Sequence, residues 1–283
     1  MSVLVTGATG GYGGAALDAL KKLLPNDEIY ALARTEEKAA KLKEQGFNVR
    51  LGNYDDQAAL QEAFTGIDRL LFVSSSELDK RQAQHKNVVA AAKESGVSYI
   101  AYTSFGKADT STSPLAADHA YTEKLILDAE IAHTFLRNNW YLENEGAAIA
   151  GALKSGKLVH GGGDGLAGWG LRQEYAEIGA RAVSGKFDFP AILEVGGPLI
   201  SYQQLAADLE QASGEKITAV AADPAEVAKF LEKEAGLPQG LAEGLVGSQA
   251  IIKSGSLAVE PDDMEKYLGR PLTPTVQALR RFS

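Results

Sequence analysis

The first twenty residues constrain the fold more than any other stretch of the chain. Residues 3–5 form a short apolar run of the kind that is buried in a parallel strand. Gly7, Gly10 and Gly13 follow it, and an Ala/Leu-rich helical pattern then continues to Leu20. A strand, a glycine-rich turn and a helix in this order predict a dinucleotide-binding unit. The alternative is a glycine-rich loop that holds no ligand.

The three glycines have separate physical roles in such a turn. Gly7 permits the tight turn, Gly10 lets a pyrophosphate approach the backbone, and Gly13 lets the helix pack closely on the strand. The first N–H groups of the helix carry partial positive charge and would face the phosphates. The residues expected to bind the cofactor here are Thr6, Gly7, Thr9, Gly10, Gly11, Tyr12 and Gly13.

The residue at the end of the second predicted strand bears on the choice of cofactor. Folds that prefer NAD usually carry Asp or Glu near this point, where it binds the adenosine ribose hydroxyls. This chain carries Arg34. A guanidinium suits a 2′-phosphate, so the sequence predicts NADPH, with NADH bound more weakly. The alternative is a surface arginine that pairs with Glu36 or Glu37.

Further strand patterns at 47–51, 68–73, 98–104 and 133–137 alternate with helical patterns. This alternation predicts an α/β fold, a Rossmann-type doubly wound parallel sheet, in which Asp55 or Asp56 caps the helix that follows the third strand. Polar residues just after the third and fourth strands would lie at the ligand crevice. These candidate cofactor residues are Asn53, Tyr54, Ser74, Ser75 and Ser76.

The alternation becomes less regular beyond Asn138. An aromatic, amide-rich segment occupies 138–144, and a glycine-rich turn follows at 161–165. Helical patterns at 202–213, 224–235 and 261–268 have ends marked by Pro and Gly. We expect residues 1–140 to form an NADP-binding Rossmann domain. Residues 141–283 would mainly form a smaller C-terminal α/β substrate lobe, interleaved with the sheet.

Composition excludes several classes of function. A net charge of −9 argues against a nucleic-acid partner and against an anionic membrane surface. The absence of cysteine excludes disulfides and thiolate metal sites, and no metal is expected. No apolar run approaches the roughly 18 residues of a membrane span, and a strand beginning at Val3 leaves no room for a signal peptide. We expect a cytoplasmic protein.

Several motifs together identify a family resemblance. TGATGGYGG, the AR that ends the second strand, GNYDD, SYIAYTS, HAYTEKL and TFLRNNWYLEN resemble the NmrA-like atypical short-chain dehydrogenase/reductases. The resemblance covers nearly the whole chain and implies an NADP-binding Rossmann domain with a small substrate lobe. Within the family, the chain is most similar to bacterial type 2 quinone oxidoreductases, and next to triphenylmethane reductases.

One departure from the wider superfamily affects the expected mechanism. Ordinary members carry Tyr-x-x-x-Lys, whose tyrosine is the general acid, and none of the ten tyrosines here has lysine four positions later. Tyr121 comes nearest, with Lys124 three positions on. The resemblance implies that Lys124 lies by the nicotinamide ribose; the alternative is a solvated helix lysine. The candidate catalytic residues are Tyr121, Lys124, Asn138 and Trp140, and we expect Trp140 to line the substrate pocket.

These features predict an NADPH-dependent reductase that transfers hydride to quinones or similar electron-poor aromatic acceptors. Such acceptors become weakly basic or neutral products, so positioning matters more than a proton donor. The alternatives are a triphenylmethane-dye reductase and an NAD(P)-binding redox sensor without turnover; the missing Tyr-x-x-x-Lys argues against a sugar epimerase. The expected partner is a small aromatic or quinone substrate, and the prediction leaves room for a homodimer.

Overall fold

The structure is a computed structural model and describes residues 1–282. The chain divides into two compact units. Unit 1 consists of Met1–Asn138, Arg172–Leu193 and Glu265–Gly269. Unit 2 consists of Asn139–Leu171, Glu194–Met264 and the residues that follow Gly269. Each unit therefore combines segments that are distant in the sequence.

Unit 1 is built from alternating strands and helices. Its strands are β1 Val3–Val5, β2 Ile29–Ala33, β3 Asn48–Leu51, β4 Arg69–Phe72, β5 Tyr99–Phe105 and β6 Ala132–Asn138. Its first helices are α1 Gly11–Leu20, α2 Glu36–Glu44, α3 Gln57–Phe64, α4 Arg81–Glu94 and α5 Pro114–Asp128, with a 3-10 turn at Asn26–Glu28.

The strands of unit 1 form the predicted doubly wound parallel sheet. The strand order is β3-β2-β1-β4-β5-β6, and the paired strands along this order are parallel. The order reverses direction between β1 and β4, which opens a crevice beyond the carboxyl ends of those two strands. The glycine turn after β1 and the serine run after β4 both lie there. The predicted fold class is confirmed.

Burial explains why these segments form strands. Residues 3–5 of β1 are fully buried, as a central parallel strand covered on both faces requires. Beneath the sheet, Leu4, Phe72 and Tyr102 belong to one apolar cluster with Phe64 of α3 and Val88 of α4. Burial of these large side chains is the main favourable term that stabilises unit 1.

Unit 2 contains shorter elements. They are α6 Gly146–Ser155, β7 Lys157–His160, β8 Leu166–Ala167, β10 Ile200–Ser201, α8 Tyr202–Ser213, β11 Thr218–Ala221, α9 Pro224–Glu234, α10 Gln239–Lys253 and α12 Thr275–Leu279, with a 3-10 turn at Leu142–Glu145. Strands β7 and β11 pair in parallel, and β8 and β10 pair antiparallel. Three further elements are α7 Arg172–Val183, β9 Ile192–Val195, which joins the large sheet beside β6, and α11 Met264–Leu268.

Candidate cofactor site

The turn between β1 and α1 has the backbone that its glycines predict. Gly7 has a φ of +58°, a conformation that glycine adopts without the Cβ penalty. Gly10 donates its N–H to Gly7 O at 2.9 Å and precedes α1 as its N-cap residue. A Cβ added to Gly13 would overlap the backbone of Gly7 and Ala8. Each glycine therefore answers a local steric need.

A cavity of about 460 Å³ opens beside this turn. All of its lining residues belong to unit 1. They come from the glycine turn and the start of α1, the end of β2, the start of α2, the segments that follow β3 and β4, and the start of α7. The lining residues are Gly7, Ala8, Thr9, Gly10, Gly11, Tyr12, Gly13, Leu32, Arg34, Lys38, Gly52, Tyr54, Val73, Ser74, Ser75, Ser76 and Arg172.

The donor set of this cavity fits a phosphorylated dinucleotide. Gly10 lines the cavity with backbone alone, and a Cβ added to it would make a close contact of 3.3 Å with Gly7 O. The first turn of α1 carries no acidic side chain that would repel a phosphate. Two basic side chains, Arg34 and Lys38, lie at another part of the lining. Backbone N–H groups at a helix start and separate cations are the donors that anionic groups require.

Arg34 and Lys38 are brought together by the start of α2. Thr35 is the N-cap of that helix, and its hydroxyl accepts the N–H of Lys38 at 3.3 Å. Lys38 lies in the first turn of α2, and both it and Arg34 line the cavity. Arg34 is partly exposed and donates to a carboxylate oxygen of Glu77 at 2.7 Å. Arg34 is predicted from its place at the end of a strand, whereas no local pattern marks Lys38 or Glu77.

Thr6 and Tyr54 support the floor of the cavity. Tyr54 Oη lies 2.5 Å from Thr6 Oγ1 and 2.8 Å from Val73 O, and Val73 donates its N–H to Thr6 Oγ1 at 2.9 Å. Burial raises the pKa of the Tyr54 hydroxyl well above its ordinary value, against the opposing effects of Thr6 and Arg34. Tyr54 therefore stays protonated and ties the ends of β1 and β4 to the segment after β3.

The serine run after β4 is held by buried side chains of α4. Ser75 N–H donates to His85 Nε2 at 2.9 Å, and Ser75 Oγ donates to Gln84 Oε1 at 2.5 Å. Burial, with a smaller contribution from Arg81, lowers the pKa of His85 to about 3. A neutral imidazole can accept at Nε2 and donate from Nδ1 to Thr122 Oγ1, 2.8 Å away. This fixes the tautomer of His85 and the position of Ser75.

Arg172 is a cavity residue that the sequence analysis did not find. It is the first residue of α7, and its guanidinium lies over the glycine turn: a Cβ added to Gly11 would come within 2.9 Å of one of its nitrogens. A cation in that place can bind a phosphate held by the turn. No local signal marks Arg172, because more than 150 residues separate it from Gly11 and only the fold joins them.

The predicted residue Asn53 lies outside this cavity. Its Oδ1 accepts the N–H of Asp55 at 3.3 Å, which makes it part of the turn that leads to α3. Asp56 caps that helix, with its carboxylate accepting the N–H of Ala59 at 3.0 Å. Asn53 instead lines a neighbouring groove of about 590 Å³, which it shares with Arg34 and Arg50.

Three of the four predicted catalytic residues belong to unit 1 and do not line its cavity. Lys124 is exposed on α5, and its Nζ lies 2.8 Å from the carboxylate of Asp128. Tyr121 is half-buried on the same helix, and Asn138 is buried at the end of β6. Trp140 belongs to unit 2, where it is half-buried. Their catalytic roles stay predictions.

The register of α5 explains the orientation of Lys124. The buried residues of this helix recur with helical spacing at Ala116, His119, Glu123 and Ile126. Glu123 faces inward and binds Arg137 through two hydrogen bonds, of 3.0 and 2.7 Å. Its neighbour Lys124 is rotated by about 100° around the helix axis and points to solvent.

A second buried carboxylate lies in unit 2. Glu145 accepts the hydroxyl of Tyr202 at 3.0 Å and the indole N–H of Trp169 at 3.4 Å. Burial raises the pKa of Glu145, and the hydrogen bonds from Tyr202 and Trp169 only partly offset that effect. These partners are neutral donors, and burial remains the largest influence on the pKa of the carboxyl group.

Two further properties concern residues 1–282 as a whole. None of the helices in this range is both long and apolar enough to span a membrane. The same range contains no cluster of three or more His, Cys, Asp or Glu side chains that could bind a metal ion.

Comparison with known proteins adds to this description. The model of the NmrA-like family matches residues 1–147. Quinone oxidoreductase 2 of Escherichia coli K12 is 39% identical over 278 residues, which cover 98% of this chain and 97% of that protein. A crystal structure of the NADPH-dependent quinone oxidoreductase of Escherichia coli complexed with NADPH is 38% identical and superposes with a TM-score of 0.89 over 99% of both chains. The triphenylmethane reductase of Citrobacter sp. complexed with NADP(H) is 33% identical and superposes with a TM-score of 0.92 over the full length of both chains.

Proposed function

This chain belongs to the NmrA-like family, and on that premise we propose that it is an NADPH-dependent reductase of quinones. The observation that carries the proposal is the cavity of unit 1. It combines the bare backbone of a glycine turn with two basic residues, Arg34 and Lys38, at another part of its lining. The similarity of the chain to a relative named quinone oxidoreductase supports the choice of a quinone as the acceptor.

The chain's own residues have defined tasks in this proposal. The backbone N–H groups that follow Gly10 bind the pyrophosphate, and Arg172 supplies a positive charge over the same turn. Arg34 and Lys38 bind the 2′-phosphate. The serine run, held in place by His85 and Gln84, forms part of the wall of the cavity. When bound, NADPH supplies the hydride.

Reduction of a quinone requires few catalytic groups from the protein. A quinone takes up a hydride and then one proton to give the hydroquinone, and water can supply that proton because the hydroquinone anion is weakly basic. The absence of Tyr-x-x-x-Lys is consistent with such an acceptor. Catalysis would then come mainly from orientation of two flat rings. It stays a prediction that Asn138 and Trp140 act near the acceptor. The cytoplasmic location and the homodimer also stay predictions.

The test is acceptor-dependent oxidation of NADPH. Purified protein is mixed with NADPH and a simple benzoquinone, and NADPH consumption is followed with and without the quinone. We expect turnover only when both are present. Gly10→Val is the matched control, because it should abolish turnover while its circular dichroism spectrum stays that of the wild type. Tight NADPH binding without turnover of any quinone would indicate a redox sensor instead.

A second candidate is reduction of cationic triphenylmethane dyes, which the structural similarity to the Citrobacter reductase favours. Such a dye accepts a hydride to become neutral and needs no proton. Decolourisation of a triphenylmethane dye in the presence of NADPH measures this activity directly. Comparison of kcat/KM for the dye and the quinone decides which acceptor the protein uses better.

A further inference from the structure

Arg34, which lines the cavity, forms an ion pair with the carboxylate of Glu77. Arg34 lies at the end of β2, and one of its guanidinium nitrogens lies 2.7 Å from Glu77 Oε1. Glu77 follows directly after the serine run that lines the cavity. Both side chains are partly exposed, at 43% for Arg34 and 32% for Glu77, and Arg34 itself lines the cavity.

The protein holds Glu77 in this position. Its N–H donates to Ser75 Oγ at 3.1 Å, and its second carboxylate oxygen lies 3.3 Å from Gln84 Nε2 and 3.6 Å from Lys80 Nζ. Gln84 is itself buried, and its amide also donates to Asp55 at 3.1 Å. Glu77 is therefore anchored on the side away from Arg34 and keeps its place whether or not Arg34 remains beside it.

We propose that Glu77 sets the cofactor preference of this protein by competing with the 2′-phosphate for Arg34 and by offering a carboxylate to the ribose hydroxyls of NADH. This inference rests on the proposed dinucleotide function of the cavity. It assigns a role to a residue that is held beside Arg34 by its contacts with Arg34, Ser75 and Gln84.

Electrostatics gives the direction of each effect. A phosphate dianion near Arg34 gains attraction from the guanidinium and suffers repulsion from the Glu77 carboxylate, and it must displace that carboxylate to bind Arg34 from the same side. A ribose with free hydroxyls carries no such charge. A carboxylate is the usual acceptor for those hydroxyls in NAD-binding folds, and an arginine is the usual partner of the 2′-phosphate in NADP-binding folds. This chain has both groups in contact.

The contact also explains the lowered pKa of Glu77. The hydrogen bond from Arg34 is the largest cause, and attraction from Arg34 and Lys80 adds to it. The carboxylate is therefore charged at neutral pH and available both as a competitor and as an acceptor.

The experiment is a direct binding titration of Glu77→Gln with NADPH and with NADH, followed by the change in nucleotide fluorescence. We expect the Kd for NADPH to fall about fivefold and the Kd for NADH to rise about threefold, which are changes of the size that one partly exposed charge contact produces. Adenosine 2′,5′-bisphosphate should gain affinity in the same way, whereas 5′-AMP, which lacks the 2′-phosphate, should not.

Two controls isolate the contact with Arg34. Glu36→Gln removes an exposed carboxylate two positions from Arg34, and it should leave the ratio of the two Kd values unchanged. In the background of Arg34→Gln, the substitution of Glu77 should no longer improve NADPH binding, because the group that it competes for is gone. Thermal melts of each variant without nucleotide confirm that the fold is intact.

The outcomes separate this inference from the proposed function. If the wild type binds neither NADPH nor NADH, the dinucleotide site itself is wrong. If the wild type binds NADPH and Glu77→Gln has the same NADPH-to-NADH ratio, only the role of Glu77 is overturned. An improvement that persists without Arg34 would show a general charge effect and would also overturn the proposed competition.

Discussion

Glu123 in unit 1 and Glu145 in unit 2 are both buried carboxylates, yet they are compensated in different ways. Glu123 accepts two hydrogen bonds from the Arg137 guanidinium and a third, of 2.6 Å, from Ser104. Burial disfavours the charged guanidinium, but Glu123 and Asp109 outweigh that effect and raise the pKa of Arg137. Glu145 is surrounded by neutral donors, and burial raises its pKa.

The difference shows two uses of a buried polar group. The Glu123–Arg137 pair, with Ser104, joins α5 to the ends of β5 and β6. Its two charges compensate each other, and removal of one partner would leave the other charge buried without compensation. The Glu145 cluster holds the 3-10 turn of unit 2 through hydrogen bonds, and its carboxylate remains sensitive to pH. The cavity residues of unit 1 form a third group, since they face a space that a ligand can fill.

The largest expected effect is the loss of the buried ion pair. Glu123→Ala removes the buried carboxylate that pairs with the buried guanidinium of Arg137, whereas its other partner Asp109 is exposed. We expect the free energy of unfolding to fall by about 3–5 kcal/mol, the usual cost of removing one partner of a buried pair. Urea denaturation followed by circular dichroism measures this change.

Helix α5 supplies the matched control. Asp128 pairs with Lys124 on the exposed face of the same helix, and Asp128→Ala should change stability by no more than about 0.5 kcal/mol. Equal losses in the two variants would show that the Glu123–Arg137 pair has no special structural role.

Gly10→Val should separate binding from stability within unit 1. The Cβ of the valine would lie 3.3 Å from Gly7 O, and the side chain would crowd the part of the cavity lining where the proposal puts the pyrophosphate. We expect NADPH affinity to fall by at least about a hundredfold, or about 2.7 kcal/mol, with little change in the melting temperature. Gly14→Ala in the same helix is the control, because its added Cβ makes only an ordinary contact of 3.6 Å with Ala8 O. Normal binding by Gly10→Val would remove the main support for the site.

The fold of unit 1 could be predicted because its signals are local. The helix Gln57–Phe64 follows the third strand as the sequence predicts, and Asp56, one of the two predicted caps, caps its start. In unit 2, the predicted helix Tyr202–Ser213 also has the observed bounds. Helices α6 and α10 were not predicted, because their many glycines and alanines hide the helical period. The predicted helix 261–268 is shorter in the structure, where α11 begins at Met264.

Residues of the site could be predicted only where the pattern that marks them lies within one short segment of the sequence. The glycine turn and Arg34 each follow a strand, so a rule about strand ends identifies them. Arg172 and Glu77 approach the same cavity from other segments, and their contacts depend on tertiary packing. The predicted assignment of residues 1–140 to cofactor binding and of residues 141–283 mainly to substrate binding stays a prediction.

Arg34→Gln tests the proposed 2′-phosphate site. At this site a side chain binds the phosphate, whereas at the glycine turn the backbone does. We expect NADPH affinity to fall about tenfold to hundredfold, the loss of one charge-assisted contact, and NADH affinity to change by less than about threefold. Fluorescence titration with both nucleotides measures the two constants. Equal losses for NADPH and NADH would show that Arg34 does not recognise the 2′-phosphate.

Glu145→Gln tests the carboxylate of unit 2 through pH. Because the folded-state pKa of Glu145 is raised, its contribution to stability is retained below the unfolded pKa and is lost as pH rises through the folded pKa. Glutamine does not ionise. We therefore expect the variant to gain stability relative to the wild type as the pH increases from 4 to 8 in a series of urea titrations, with NADPH affinity unchanged. A stability difference that stays constant with pH would contradict the assignment.

The smallest expected effect concerns Tyr121, which lies on the same helix as Glu123 but is only half-buried and does not line the cavity. If positioning of two rings is enough for hydride transfer to a quinone, Tyr121→Phe should retain kcat within about twofold, because a required general acid would contribute at least about a hundredfold. Lys124→Ala should also act weakly, through the cofactor KM, since its Nζ is exposed beside Asp128. Comparing NADPH with its C4-deuterated form would show whether hydride transfer limits the rate. A hundredfold loss of kcat in Tyr121→Phe, with an unchanged KM and melting temperature, would mean that a tyrosine acid operates in this protein and that the acceptor requires a proton in the transition state.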